Sequence, residues 1–163
     1  MTSAHPLTAQ AHRAVILMAE DDADHVFLMR EAFAEAKLRI DLHHVESGDQ
    51  CLAFLRRQPP YENAPRPDLL LLDLHMPRVD GYEVMQQIAA DPALRMLTVI
   101  VLTTSASPAD VDRMYALGCK SYLTKPVDFE AFAAAIKQLT DYWFDLVILP
   151  GGSARNAEAA RPA

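Results

Sequence analysis

Four places in this 163-residue chain carry side chains that could do chemistry together, and each directly follows a short apolar run. Glu20, Asp21 and Asp22 follow the first run. Asp73 closes a run of leucines at 69–72. Thr103, Thr104 and Ser105 end another run, and Lys125, followed by Pro126, ends the last. Carboxylates gathered at one point repel each other unless a cation balances them. Hard oxygen donors in an open site suit Mg²⁺ (or Mn²⁺), which takes few carboxylates and keeps several waters. Such an ion also offsets the charge of an incoming phosphoryl group. A carboxylate in a fixed position can then act as a nucleophile and become an aspartyl phosphate. Asp73 fits that role. Lys125 supplies a cation for Asp73 or for phosphoryl oxygens, and Thr103 offers a hydroxyl that can turn toward a new phosphoryl oxygen.

Taken singly, each residue has an ordinary explanation. An acidic residue after a strand often caps the next helix, and Asp22 or Asp24 could do so here. Asp73 alone could be a turn residue, Thr-Thr-Ser a helix cap and Lys-Pro a loop. The joint occurrence at four separate run ends favours a single site.

The elements that must position these residues are legible as an alternation. Apolar runs at 14–19, 40–45, 68–72, 97–103 and 121–123 read as buried strands, their lengths suiting a parallel sheet covered on both faces. Helical patterns fill the gaps at 24–37, 48–58, 80–91, 108–117 and from 128 to about 146; the first places Val26, Met29, Phe33 and Ala36 on one stripe. Strand and helix in alternation imply right-handed crossovers and a parallel sheet between two helix layers, an α/β fold. Such sheets carry their functional groups at the carboxyl ends of the strands, where the four groups fall. Residues 1–13 are small and polar and read as a flexible N-terminus, 14–150 as one domain with a C-terminal extension, and 151–163 as a disordered tail.

Bulk properties narrow the class further. The formal net charge is −7 and about half the residues are apolar, with a mean hydropathy of +0.01. An acidic chain of this kind argues against DNA as a partner, since binding there rests on Lys and Arg against phosphates. No apolar run approaches the length of a membrane span, and the N-terminus lacks the apolar core of a secretory signal. Cys51 and Cys119 are too few for a disulfide framework and read as thiols in a reducing, cytoplasmic compartment.

Four segments together resemble the response-regulator receiver family: 16–22 (ILMAEDD), 68–81 (DLLLLDLHMPRVDG), 99–104 (VIVLTT) and 121–126 (SYLTKP). The likeness covers roughly residues 14–140. It implies a flavodoxin-like, five-stranded parallel sheet of order 2-1-3-4-5 sandwiched by five helices. Carried over by position, it makes Asp73 the phosphoacceptor and Glu20 and Asp21 the acidic pair. Asp21 is the favoured direct metal ligand, Glu20 acts through water, and the His75 backbone carbonyl is a further ligand. Thr103 becomes the switch hydroxyl, Lys125 the phosphate-binding lysine and Tyr122 the aromatic switch residue. The implied mechanism is a population shift in which Thr103 moves toward the phosphoryl group, Tyr122 turns inward, and the surface of the fourth helix, fifth strand and fifth helix changes.

The Pro-rich loop at 57–67 (RQPPYENAPRP), residues 102–105 (LTTS) and the segment 142–150 (YWFDLVILP) resemble the small regulators that partner bacterial phytochrome histidine kinases. A bacteriophytochrome kinase is therefore the expected partner. The 142–150 segment is densely apolar and would be a sticky surface if exposed. It either folds back on its own domain or makes a homodimer contact. Its aromatic content favours the dimer, through this segment or through the face of the fourth helix, fifth strand and fifth helix. The expected function is a stand-alone phosphoacceptor switch with only slow self-dephosphorylation, not a metabolic enzyme. The alternatives are a phosphate-independent interaction module, or a phosphate carrier or sink in a phosphorelay. A haloacid-dehalogenase-type phosphohydrolase would want an Asp where His75 stands. A flavin or nucleotide binder would not put Glu-Asp-Asp after its first strand, where phosphate must sit.

Overall fold

The computed structural model describes residues 14–35 and 40–146. Five strands, β1 (Ala14–Ala19), β2 (Ile40–Val45), β3 (Leu69–Leu72), β4 (Thr98–Thr103) and β5 (Ser121–Thr124), form one parallel sheet of order β2-β1-β3-β4-β5. The helices are α1 (Ala23–Glu35), α2 (Gly48–Leu55), α3 (Gly81–Ala90), α4 (Pro108–Ala116) and α5 (Phe129–Thr140). This is the α/β, flavodoxin-like topology expected from the sequence. The expected flexibility of 1–13, the end of the first helix at Ala36 and Lys37, and the tail 151–163 lie outside the described residues. So do residues 147–150 of the apolar segment 142–150.

Two apolar layers flank the sheet, because successive strand residues point to opposite faces. One face carries Leu17, Leu70, Leu72, Val99 and Val101 against Leu52, Phe54, Val84, Met85, Ile88 and Met114 of α2, α3 and α4. The other carries Ile16, Met18, Leu69, Leu71 and Ile100 against Met29, Phe33, Phe132, Ile136 and Leu139 of α1 and α5. Strands β1, β3 and β4 are thus covered on both faces. Strands β2 and β5 are mostly half-buried, which corrects the reading of every apolar run as a buried strand. They are the two edges of the sheet, and their compositions, IDLHHV and SYLT, are accordingly mixed.

Two helix ends also differ from expectation. Helix α2 stops at Leu55, not Gln58, because Arg57 takes a left-handed φ of 53°. The Arg57 and Gln58 N–H groups then donate back to Phe54 and Ala53 carbonyls, closing the helix in the manner usually left to glycine. The last helix does not run on uniformly to Leu146. The Thr140 hydroxyl donates to the Ile136 carbonyl at 2.7 Å, and the chain widens there into a π-helical turn, Asp141–Leu146.

The loop after β3 is gripped by two glycines. A Cβ on Gly81 would lie 2.3 Å from the Asp73 carbonyl oxygen, and one on Gly48 would lie 2.1 Å from that of Val79. Both glycine N–H groups donate into this loop, Gly81 to Leu74 and Gly48 to Val79. Asp80 caps α3 by accepting from the Glu83 N–H at 3.0 Å. The Asp-Gly pair therefore starts α3 and lets it seat against the backbone of Asp73.

Candidate functional site: a carboxylate cluster around one buried lysine

The carboxyl ends of β1, β3, β4 and β5 bring Glu20, Asp21, Asp73, Thr103 and Lys125 to one edge of the sheet. Main-chain bonds extend each strand by one residue to place them. Glu20 N–H donates to the Val45 carbonyl, Asp73 N–H to Ala19, and Lys125 N–H to Thr103. Glu20, Asp73, Thr103 and Lys125 are buried; Asp21 is exposed. Glu20, Asp21 and Asp73 each offer an oxygen within 4.8 Å of the others.

Lys125 is the centre of the cluster. Its ammonium donates to Glu20 Oε2, to Asp73 Oδ2 at 3.1 Å, and to His25 Nδ1 at 3.0 Å. Two buried carboxylates thus share one buried cation. The imbalance shows in Glu20, whose carboxyl is pushed up to about 7 by burial and by the neighbouring Asp73 charge, against the pull of Lys125. Holding a proton is one way to relieve such a site. A divalent cation between the three carboxylates is another, and the hard, partly open donor set fits an ion of the Mg²⁺ or Mn²⁺ type.

Asp73 Oδ1 accepts from the His75 N–H at 3.2 Å, leaving its other oxygen on Lys125. The loop between them and α3 turns through Pro77 and Arg78, the latter with a left-handed φ of 63°. The Arg78 guanidinium anchors that turn by donating to Ser47 Oγ at 3.0 Å and Asp49 Oδ1 at 3.2 Å. Asp22 sits apart from the cluster. Its Oδ1 accepts from the Asp24 and His25 N–H groups as the cap of α1, and the His25 bond holds its carboxyl below the ordinary range.

At the end of β4, Thr103 is buried and Thr104 exposed. Thr103 Oγ1 accepts a long 3.5 Å bond from the Ser105 N–H. The Ser105 carbonyl accepts from the Tyr122 hydroxyl at 2.9 Å, and the Ser105 hydroxyl donates to Asp110 Oδ2 at 2.6 Å. The Tyr122 N–H in turn donates to the Tyr115 hydroxyl at 3.2 Å. Ser105 is thus the junction through which Thr103, Tyr122 and the first turn of α4 are joined. Neither Ser105 in this role nor His25 was singled out by sequence reasoning. His25 lies four and seven residues before Met29 and Ala32, on the edge of the buried stripe of α1, which is the signal that could have found it.

Comparison with known proteins places this arrangement. The response regulator receiver domain model matches residues 16–137. The response regulator Rcp1 of Synechocystis is 37% identical over 136 residues, spanning 83% of this chain and 92% of Rcp1. The crystal structure of the phosphorylated cyanobacterial phytochrome response regulator RcpA superposes with a TM-score of 0.82 at 34% identity, covering 85% of this chain and 99% of RcpA. The Mn²⁺-bound form of Rcp1 gives 0.81 at 36% identity, covering 84% and 99%. With the strand order, the clustered carboxylates and the buried lysine all in place, the chain belongs to the response regulator receiver domain family.

Proposed function

We propose that this protein is a stand-alone response regulator that accepts a phosphoryl group on Asp73 from a sensor histidine kinase of the bacteriophytochrome class. The observation that carries the reading is the Asp73 carboxylate itself, fixed by the His75 N–H and Lys125 beside two further carboxylates. An Asp73 oxygen attacks phosphorus, the N–P bond of the kinase phosphohistidine breaks, and an acyl phosphate forms as neutral imidazole departs with a proton. Glu20, Asp21, Asp73 and the His75 backbone carbonyl would hold Mg²⁺ or Mn²⁺. When bound, the ion neutralises charge building on the phosphoryl oxygens. Lys125 pairs with the same oxygens, and the acyl phosphate is lost only slowly to water.

The readout is a switch. Thr103 turns its hydroxyl to a phosphoryl oxygen and draws on Ser105, whose carbonyl holds Tyr122. The surface of α4, β5 and α5 changes in consequence. That surface, or the apolar segment 142–150, forms a homodimer contact in the cytoplasm. The phytochrome reading is supported by the kinship with RcpA, a phytochrome response regulator, and the metal reading by the kinship with Mn²⁺-bound Rcp1. A phosphotransfer assay tests the partner. Radiolabelled phosphate on a bacteriophytochrome histidine kinase is expected to move to this chain and not to an Asp73→Asn variant. Rapid transfer from an unrelated kinase, with none from the phytochrome class, would remove that part of the reading.

A further inference from the structure

An ammonium group has three N–H donors and no acceptor. On Lys125 two go to Glu20 and Asp73, and the third goes to His25 Nδ1 at 3.0 Å. A ring nitrogen at that distance from an ammonium can only accept. Its proton must therefore sit on Nε2, in the neutral tautomer. The carboxylates of Glu20 and Asp22 lie 3.6 and 3.7 Å from the same Nδ1, too far to hold a proton there against the lysine.

The ring is held in place from two sides. Its backbone N–H is bonded to the Asp22 cap, and its face stacks on Phe132 of α5 at 6.4 Å between centroids and 18° between planes. The Lys125 side chain is only 2% exposed, whereas its imidazole partner on His25 is 29% exposed.

We infer that His25 is a positioning residue for phosphoryl transfer, its Nδ1 taking the third Lys125 N–H so that the ammonium stays aimed at Asp73. The inference rests on Asp73 as the phosphoacceptor. When Asp73 takes the phosphoryl group, the N–H now on Asp73 Oδ2 is the one released to a phosphoryl oxygen. The bonds to Glu20 and His25 keep the nitrogen where it is. Without the imidazole acceptor, a buried charged donor is left unmatched and the ammonium pivots toward Glu20 and water.

Two arms test this. In the first, ¹⁵N-histidine-labelled wild type is examined by NMR without phosphodonor at alkaline pH. Protonation of His25 on Nε2, with a bare Nδ1, is expected; a proton on Nδ1 overturns the inference. In the second, phosphorylation by acetyl phosphate is timed in wild type, His25→Phe and His25→Gln, with folding of each checked by thermal unfolding. Phe keeps the ring on Phe132 but cannot accept; Gln supplies a carbonyl acceptor. His25→Phe is expected to react about tenfold more slowly, equivalent to about 1.4 kcal/mol, and His25→Gln within about threefold of wild type. Wild-type speed in His25→Phe, or an equal loss in His25→Gln, overturns the role. If wild type itself takes no phosphoryl group, the phosphoacceptor reading fails instead, and the NMR arm still decides the His25–Lys125 contact.

Discussion

Replacing Glu20 with Gln should stabilise the metal-free protein at alkaline pH, against the usual expectation that breaking a buried ion pair is costly. The folded Glu20 carboxyl titrates near 7, against an ordinary value of 4.5, because it is buried beside Asp73. Between those values the native state holds a proton that the unfolded chain has released. Stability therefore falls as pH rises from below 4.5 to about 7, and levels off above. At about 1.4 kcal/mol per unit, the ionised carboxylate costs about 3 kcal/mol at pH 8. Gln cannot ionise, and its amide oxygen can still accept from Lys125, while Asp73 remains as the lysine's counter-charge. It gives up the 3.2 Å bond from the Asp22 N–H, a loss of about 1 kcal/mol. The net expectation is a gain of about 2 kcal/mol at pH 8 and a loss of about 1 kcal/mol at about pH 4. Urea denaturation followed by circular dichroism, in chelator at both pH values, measures it. A variant no more stable than wild type at pH 8 would refute the charge imbalance on which the metal-site reading rests.

Three further outcomes follow from the packing. Gly81→Ala would drive a Cβ to 2.3 Å from the Asp73 carbonyl oxygen, so a loss above about 2 kcal/mol and impaired phosphorylation are expected together. Asp80→Ala, one residue earlier, removes only the α3 cap; about 1 kcal/mol should be lost in the same denaturation assay, with phosphorylation retained. The Cys51 and Cys119 thiols are buried and pushed up to about 12 and about 11, so a thiol reagent at pH 8 should label them only as fast as the chain opens.

Legibility from sequence followed the physics of the parallel sheet. Glu20, Asp73, Thr103 and Lys125 each end an apolar run, and the crossover rule sends all such ends to one edge, so periodicity and order sufficed to gather them. The half-buried edges β2 and β5 were less legible. An apolar run does not say how many neighbours its strand has, and His43 and His44 in β2 are what an edge tolerates. Arg57 concealed the end of α2 because a left-handed stop is normally signalled by glycine. The break at Thr140 was hidden in a continuous apolar stripe, since only the rotamer of its hydroxyl decides whether it bonds to the i−4 carbonyl. Ser105 carried no signal of its own, and His25 only its place on the edge of the buried stripe of α1. Their parts in the site depend on side-chain contacts between β1, α1 and β5, and between β4 and α4, that no local pattern encodes. Asp22 had two readings in the sequence, and the structure gives it to the cap of α1.

The account turns on Asp73 as the residue that takes phosphate, and intact-mass spectrometry tests that most directly. Purified protein incubated with Mg²⁺ and acetyl phosphate should gain the mass of one phosphoryl group, and the Asp73→Asn variant should gain none. An equal gain in the variant would move the chemistry to another residue. No gain in wild type, either with acetyl phosphate or with a panel of phosphorylated histidine kinases, would leave a receiver fold that works without phosphate and contradict the proposed function.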